Sequence, residues 1–171
     1  MVTLKGKPTV YLIIYVIVGF LHIFIPVWGV VIEEPFNIAE FYWYWGFYFR
    51  ATEGNVDTGT IPIEGWLTAG RIAMTIMIIC FIIFLITIIL ARSLEIFKTE
   101  KYLGLFGIIW LIIGILLLIA PSIYVVEVSD YIFDDYVWGV GIYFSYFLAI
   151  VPLLLGILIL YTKMKGQKIE T

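Results

Sequence analysis

One cysteine, Cys80, and one histidine, His22, are all that the chain holds of the two side chains that most often ligate transition metals. A lone thiol excludes an intrachain disulfide and paired-cysteine redox chemistry. A lone imidazole excludes bis-histidine haem ligation within one chain. His22 is expected to be packed or hydrogen-bonded, and the role of single ligand to a shared cofactor stays open. Side-chain amides are scarce as well, with Asn37, Asn55 and Gln167 the full set, and neither asparagine begins a glycosylation acceptor triplet. Few thermolabile residues beside abundant isoleucine point to a thermophile, so an archaeal plasma membrane is the expected setting. The sequence has no HExxH, CxxC or P-loop and no nucleophile with a base close by in sequence. The expectation is therefore a non-enzyme with no cofactor and no metal site.

Charge is the other shortage. Only 13% of the residues are charged and 63% are apolar, where a soluble domain is nearer half apolar and about a quarter charged. The chain reads as an integral membrane protein of one domain, residues 1–171. A spanning helix needs about 20 predominantly apolar residues. Four runs qualify, at about 9–28, 67–90, 102–126 and 137–161. Each is expected to be helical, because lipid cannot satisfy backbone polar groups. The first reads as a span rather than a cleaved leader, since "HIFIPVWG" has no small-residue cleavage site. No acid lies at the centre of any run, which argues against a proton or ion transporter acting alone.

The charges that are present sort by side. Lys5, Lys7, Arg92, Lys98, Lys101, Lys163, Lys165 and Lys168 flank one end of the four runs, leaving only Arg50 and Arg71 elsewhere. The positive-inside rule then places both termini in the cytoplasm of a multi-pass plasma-membrane protein. Ten of the thirteen acids fall in the opposite loops. A net charge of −3 gives no reason to expect a nucleic-acid partner. The acidic stretch "SDYIFDD", residues 129–135, has oxygen ligands for a cation, but a solvated loop is the commoner outcome.

Two loops are short, at 91–101 and 127–136, and one is long, at 29–66. A structureless loop of that length is unusual, and its content is strand-like. Val30, Val31 and Ile32 begin it, and Glu53, Gly54 and Asn55 supply a turn between Phe47–Thr52 and Val56–Ile61. A small antiparallel sheet on the outer helix ends follows, with "IYVVEV", residues 123–128, as a candidate edge strand. Between lies "EFYWYWGFYFR", residues 40–50, in which eight of eleven side chains are aromatic. Strand alternation would put Phe41, Trp43 and Trp45 on one face and Tyr42 and Tyr44 on the other. One apolar face suffices to cap a bundle. The second would lie among lipid headgroups, meet a partner or line an aromatic ligand groove.

These features together resemble the claudin superfamily, which includes claudins, peripheral myelin proteins and stargazin-like channel subunits. The family's first outside loop carries a Trp, then Gly-Leu-Trp, then two cysteines. Here "IPVWGVV" supplies Trp28, and Gly46, Phe47 and Tyr48 stand where Gly-Leu-Trp would. "LTAGRIAM" at 67–74 is similar to the family's entry into the second span, with Arg71 as its arginine, and "VWGVGIYFSYF" at 137–147 is similar to its fourth. The resemblance covers nearly the whole chain and implies a four-helix bundle under a small extracellular antiparallel sheet, with Trp28, Gly46, Phe47, Tyr48 and Arg71 anchoring one to the other. It also implies a strand-stapling disulfide that this chain cannot make. A disulfide closing a short loop contributes on the order of 3 kcal/mol. Cross-strand aromatic pairs, at roughly 0.2–1 kcal/mol each, are the expected replacement.

Arg71 sits about one turn inside the second run, where a charge must snorkel or pair. A pore charge is the minor alternative. Arg50, beside acids, is expected to be paired or solvated. Gly107 and Gly114 on the third run, and Gly141, Ser145, Ala149 and Gly156 on the fourth, are small residues at helical spacing, expected to pack within the bundle rather than across a dimer. Pro152 is expected to kink the fourth run or open a gap there. Two functions remain. The first is a structural, adhesion or membrane-assembly role, in which Phe41, Tyr42, Trp43, Tyr44 and Trp45 bind a second copy or another membrane protein. The second is an accessory subunit of a larger membrane enzyme, channel or transporter. Self-association into a channel is a weaker third.

Overall fold

The computed structural model describes residues 7–32, 37–93, 100–129 and 137–167. The elements run α1 (Lys7–Leu21), a 3₁₀ turn (His22–Phe24), β1 (Trp28–Ile32), β2 (Ile38–Tyr42), β3 (Phe47–Thr52), β4 (Asn55–Thr60), α2 (Glu64–Ser93), α3 (Glu100–Ser129), β5 (Val137–Trp138) and α4 (Val140–Gln167). Among the described residues, three helical stretches are long and apolar enough to cross a membrane: Glu64–Ala91, Tyr102–Ser129 and Val140–Lys165. Their exposed side chains are apolar too, for example Ile79, Ile86, Leu105, Ile112, Leu154 and Ile157, a surface suited to hydrocarbon.

The first apolar run departs from expectation. Its helix ends at Leu21 instead of continuing to Trp28, which lies in β1. The cause is local. Ile25 precedes Pro26 and takes an extended conformation, φ −89° and ψ 133°, as a residue before proline is driven to do. The 15-residue α1 and the three-residue 3₁₀ turn together rise about 28 Å at the usual 1.5 and 2.0 Å per residue. The third run shows the opposite error. "IYVVEV" forms no edge strand, because α3 continues through it to Ser129. An unbroken helix satisfies that backbone internally, and the edge is taken instead by Val137–Trp138, expected as part of the fourth span. Asp130, Asp134 and Asp135, with most of the acidic loop, lie outside the described residues.

α3 and α4 form the tightest seam, and glycine makes it. A Cβ on Gly114 would collide with Leu153, one on Gly107 with Leu160, and one on Gly156 with the backbone of Leu111. Gly141 lies against the carbonyls of Ile25 and Pro26, and Ser145 and Ala149 are buried. All six small residues thus serve packing within the chain. α2 joins α3 through the Trp110 indole, which donates to Thr87 Oγ1 at 2.8 Å. Pro152 lies inside a continuous α4. Having no N–H, it leaves the Leu148 carbonyl without its helical donor. The Tyr15 hydroxyl, reaching across from α1, donates to that carbonyl instead.

The sheet order is β4-β3-β2-β1-β5, antiparallel where pairs are defined. The turn between β3 and β4 is where the sequence places it: Thr52 pairs with Asn55 around Glu53 and Gly54, and Gly54 has φ +79°. Phe41 sits opposite Phe49 and Tyr42 opposite Tyr48 in register, with ring centroids 6.4 and 6.2 Å apart. These are the cross-strand aromatic pairs expected where no disulfide is available.

Candidate functional site

The alternation expected for residues 41–45 stops at Tyr42. β2 ends there, β3 starts at Phe47, and Trp43–Gly46 form the turn between them. The Trp43 N–H donates to Phe47 O at 3.1 Å and the Gly46 N–H to Trp43 O at 3.0 Å. Gly46 has φ +87°, and a Cβ there would run into Leu67 of α2. Only glycine meets both demands, so its anchoring role is steric and conformational.

The turn is driven into the bundle. The Tyr44 carbonyl lies against Gly70 of α2, so closely that a Cβ on Gly70 would strike it. The Tyr44 side chain is 0% exposed. Its ring meets Tyr124 of α3 edge-on at 5.2 Å, and its hydroxyl lies 3.1 Å from Ser145 Oγ of α4. On the far side of Ser145, His22 Nε2 is 3.1 Å away, and His22 Nδ1 lies 2.5 Å from Gly19 O. A carbonyl only accepts, so Nδ1 carries the proton. In the neutral ring Nε2 then accepts from Ser145, and Ser145 accepts from Tyr44. The serine hydroxyl also donates to Gly141 O at 2.7 Å, the usual bond of a helical serine to the carbonyl four residues back, so its one proton is shared between that carbonyl and His22. Tyr44 thus donates to Ser145, Ser145 to Gly141 O and His22, and His22 to the Gly19 carbonyl. Beside it the Trp28 indole donates to Tyr124 O–H at 2.9 Å. Trp28 and Tyr44 thereby fasten the sheet to α3 and α4.

Sequence reading found no nucleophile beside a base, yet folding brings Ser145 to His22. Both are 1% exposed, and Tyr44 occupies the third side of the hydroxyl. The trio is a plug holding sheet to bundle.

The sheet has two unlike faces. Toward the helices, Trp28 stacks on Tyr42 at 4.1 Å and 9°, and Trp66 of α2 stands edge-on to Trp28 at 4.9 Å. Further along the same face, Glu40 is 5% exposed and is held by Arg50 Nε at 2.7 Å and the Tyr42 hydroxyl at 3.0 Å. A buried carboxylate of this kind needs such partners. Arg50 is thus paired, as expected. At the rim, Tyr48 donates to Asp57 at 2.6 Å, which raises the phenol above its ordinary pKa. The other face carries Val31, Phe41, Phe49 and Val56; the two valines are 61% and 70% exposed. An apolar cleft of about 360 Å³ opens beside it, between β1, β5 and Pro26.

The expected interaction residues therefore divide. Phe41 lies on the open face. Tyr42 and Tyr44 turn inward, a correction to their reading as exposed docking residues. Trp43, Trp45 and Phe47 cluster beside the end of α1: the Trp43 indole donates to Phe24 O at 2.8 Å, and Trp45 stacks on Phe47 at 4.9 Å and 7°. Arg71 is exposed on α2 one turn after Leu67. Sequence reading missed Tyr124 and Ser145 as sheet anchors and Phe49 and Val56 as open-face residues. The pairing register alone could have found the last two. No group of three or more metal-ligating side chains occurs among the described residues. No protein-family model matches the chain, and no curated protein matches its sequence.

Proposed function

We propose that this chain is a claudin-like, four-span membrane protein with cytoplasmic termini and an extracellular sheet that serves membrane assembly or adhesion. The observation that carries the reading is an apolar sheet face on which Val31 and Val56 are exposed and Phe41 and Phe49 half-buried, with its adjoining cleft. A sheet that only capped the bundle would turn polar side chains outward. This one instead carries its ion pair, Arg50 with Glu40, on the opposite face, the one it shares with Trp28 and Tyr42. Contiguous exposed apolar surface rimmed by polar groups is the signature of a docking surface. The length of α1 with its 3₁₀ turn and the positive-inside charge split support the fourth span and the orientation. The order of Trp28, Gly46 and Arg71 supports the likeness to claudins.

The test is a double substitution on the open face, Phe41→Ser with Phe49→Ser, in protein extracted with mild detergent. A folded protein that has lost its homo-oligomer supports assembly with itself. Loss of a stoichiometric co-purifying membrane protein supports the accessory-subunit reading, which uses the same face. Unchanged assembly of a folded double variant overturns both. Buried aromatics at interface centres commonly carry about 2 kcal/mol or more each, so the expected loss is complete at working concentrations.

A further inference from the structure

The Trp43–Gly46 turn does more than fasten the sheet. Tyr44 O abuts Gly70, six positions after the first residue of α2. At 1.5 Å per residue that is about 9 Å down the helix axis. Ser145, its other contact, is five positions into α4. The turn therefore reaches below the sheet to a level where α2 and α4 are already inside their apolar spans. Tyr44 points into the bundle at this level, while Trp45 beside it is 39% exposed. The indole of Trp43 is tied to Phe24 O at the end of the first apolar run, where Phe24 and Leu21 are 70% and 59% exposed. The cluster is thus continuous with the apolar helix surface that meets lipid.

Arg71 completes the picture. It follows Gly70 and lies one helical turn beyond Leu67, the residue under Gly46. Positions four apart share a helix face, so Arg71 is exposed on the side of α2 where the turn is seated.

We propose that Trp43, Trp45 and Phe47, with Arg71, form a lipid-headgroup seat at the sheet end of the bundle. The indoles occupy the boundary between headgroup and hydrocarbon, where amphipathic rings are favoured, and the guanidinium meets a lipid phosphate. The occupant is the bilayer itself, because the cluster lies beside spanning helices at a depth within their apolar stretch. Phe47 is two residues before Phe49 on β3 and shares its face, so the seat adjoins the open sheet face, and its test reads lipid contact rather than assembly.

The experiment uses the full chain in nanodiscs whose phosphatidylcholine carries bromine on the upper tail carbons, a short-range quencher of indole emission. Trp45→Phe keeps the ring stack on Phe47, and a melt in unbrominated discs checks that it folds. Bromine-sensitive emission should fall more in Trp45→Phe than in Trp66→Phe, and Trp45 emission should resist aqueous iodide. Should Trp45→Phe fail to fold, Trp45→Tyr provides the same reading. Unchanged bromine quenching, or a Trp45 signal quenched by iodide, places the turn in water and overturns the proposal. A signal shielded from both until the protein is diluted assigns the cluster to a protein partner and also overturns it. In native mass spectrometry, Arg71→Gln should retain fewer phosphatidylglycerol molecules than the unmodified chain. An equal number removes Arg71 from the seat.

Discussion

The two sides of the sheet invert the usual arrangement of a soluble protein. On the face that meets α2 and α3 through Trp28 lie the Arg50–Glu40 ion pair, the Tyr42 and Tyr48 phenols and the Trp28 indole; on the other lie Val31, Phe41, Phe49 and Val56. The same contrast recurs within the aromatic turn, where Tyr44 is fully buried and its neighbour Trp45 is 39% exposed. In a sheet seated on a helical bundle, the buried side has polar work to do. Helix ends leave backbone groups open, and tyrosine and tryptophan offer an apolar body with a hydrogen-bonding tip. The open side carries no such duty, and the docking role proposed above rests on its apolar character.

The sharpest test of the contrast is Tyr44→Ala beside Trp45→Ala. Removing a fully buried large aromatic costs about 3–5 kcal/mol, and Tyr44→Ala also strips Ser145 of its donor. Tyr44→Ala should lower the melting temperature in detergent steeply and Trp45→Ala only slightly. Equal shifts would show that exposure does not separate the two residues. Trp28→Ala is expected to behave as Tyr44→Ala does.

A reference inside the bundle comes from Tyr15 and Pro152. Tyr15→Phe leaves the Leu148 carbonyl unsatisfied, at a cost of about 1–3 kcal/mol. If that carbonyl lacks a helical donor because of Pro152, the penalty should shrink in a Pro152→Ala background, where the N–H returns. A double-mutant cycle with no coupling would show that the hydroxyl is dispensable there.

The smallest effect belongs to the sheet rim. Asp57→Asn removes the carboxylate that holds the Tyr48 phenol protonated, so the phenol pKa should fall toward its ordinary value in an ultraviolet titration. The sign for stability follows from the raised folded pKa. The contribution is present below the unfolded pKa of about 10 and fades as pH climbs through the higher folded value. In Asp57→Asn this alkaline loss should disappear. A phenol titrating identically in both proteins would break the assignment.

Chain-local physics was readable before folding. Apolar runs with no central charge dictated helices, and Gly54 between strand-forming residues dictated the β3–β4 turn. Pro26 dictated where the first helix stops, although the run's hydrophobicity masked that signal. The pleat places Glu40 and Tyr42 on one face of β2, but Arg50 joins them only through the β2–β3 register. The β2–β3 turn was hidden, because tryptophan and tyrosine are strand formers and only Gly46 marks the reversal.

Tertiary structure alone decided what the aromatic run does. Tyr44 meets Ser145 across 101 positions and His22 meets it across 123, and no local periodicity encodes such encounters. They follow from the depth to which the turn sinks between α2, α3 and α4. That depth is set by glycines 46 and 70, whose missing side chains let the two backbones close.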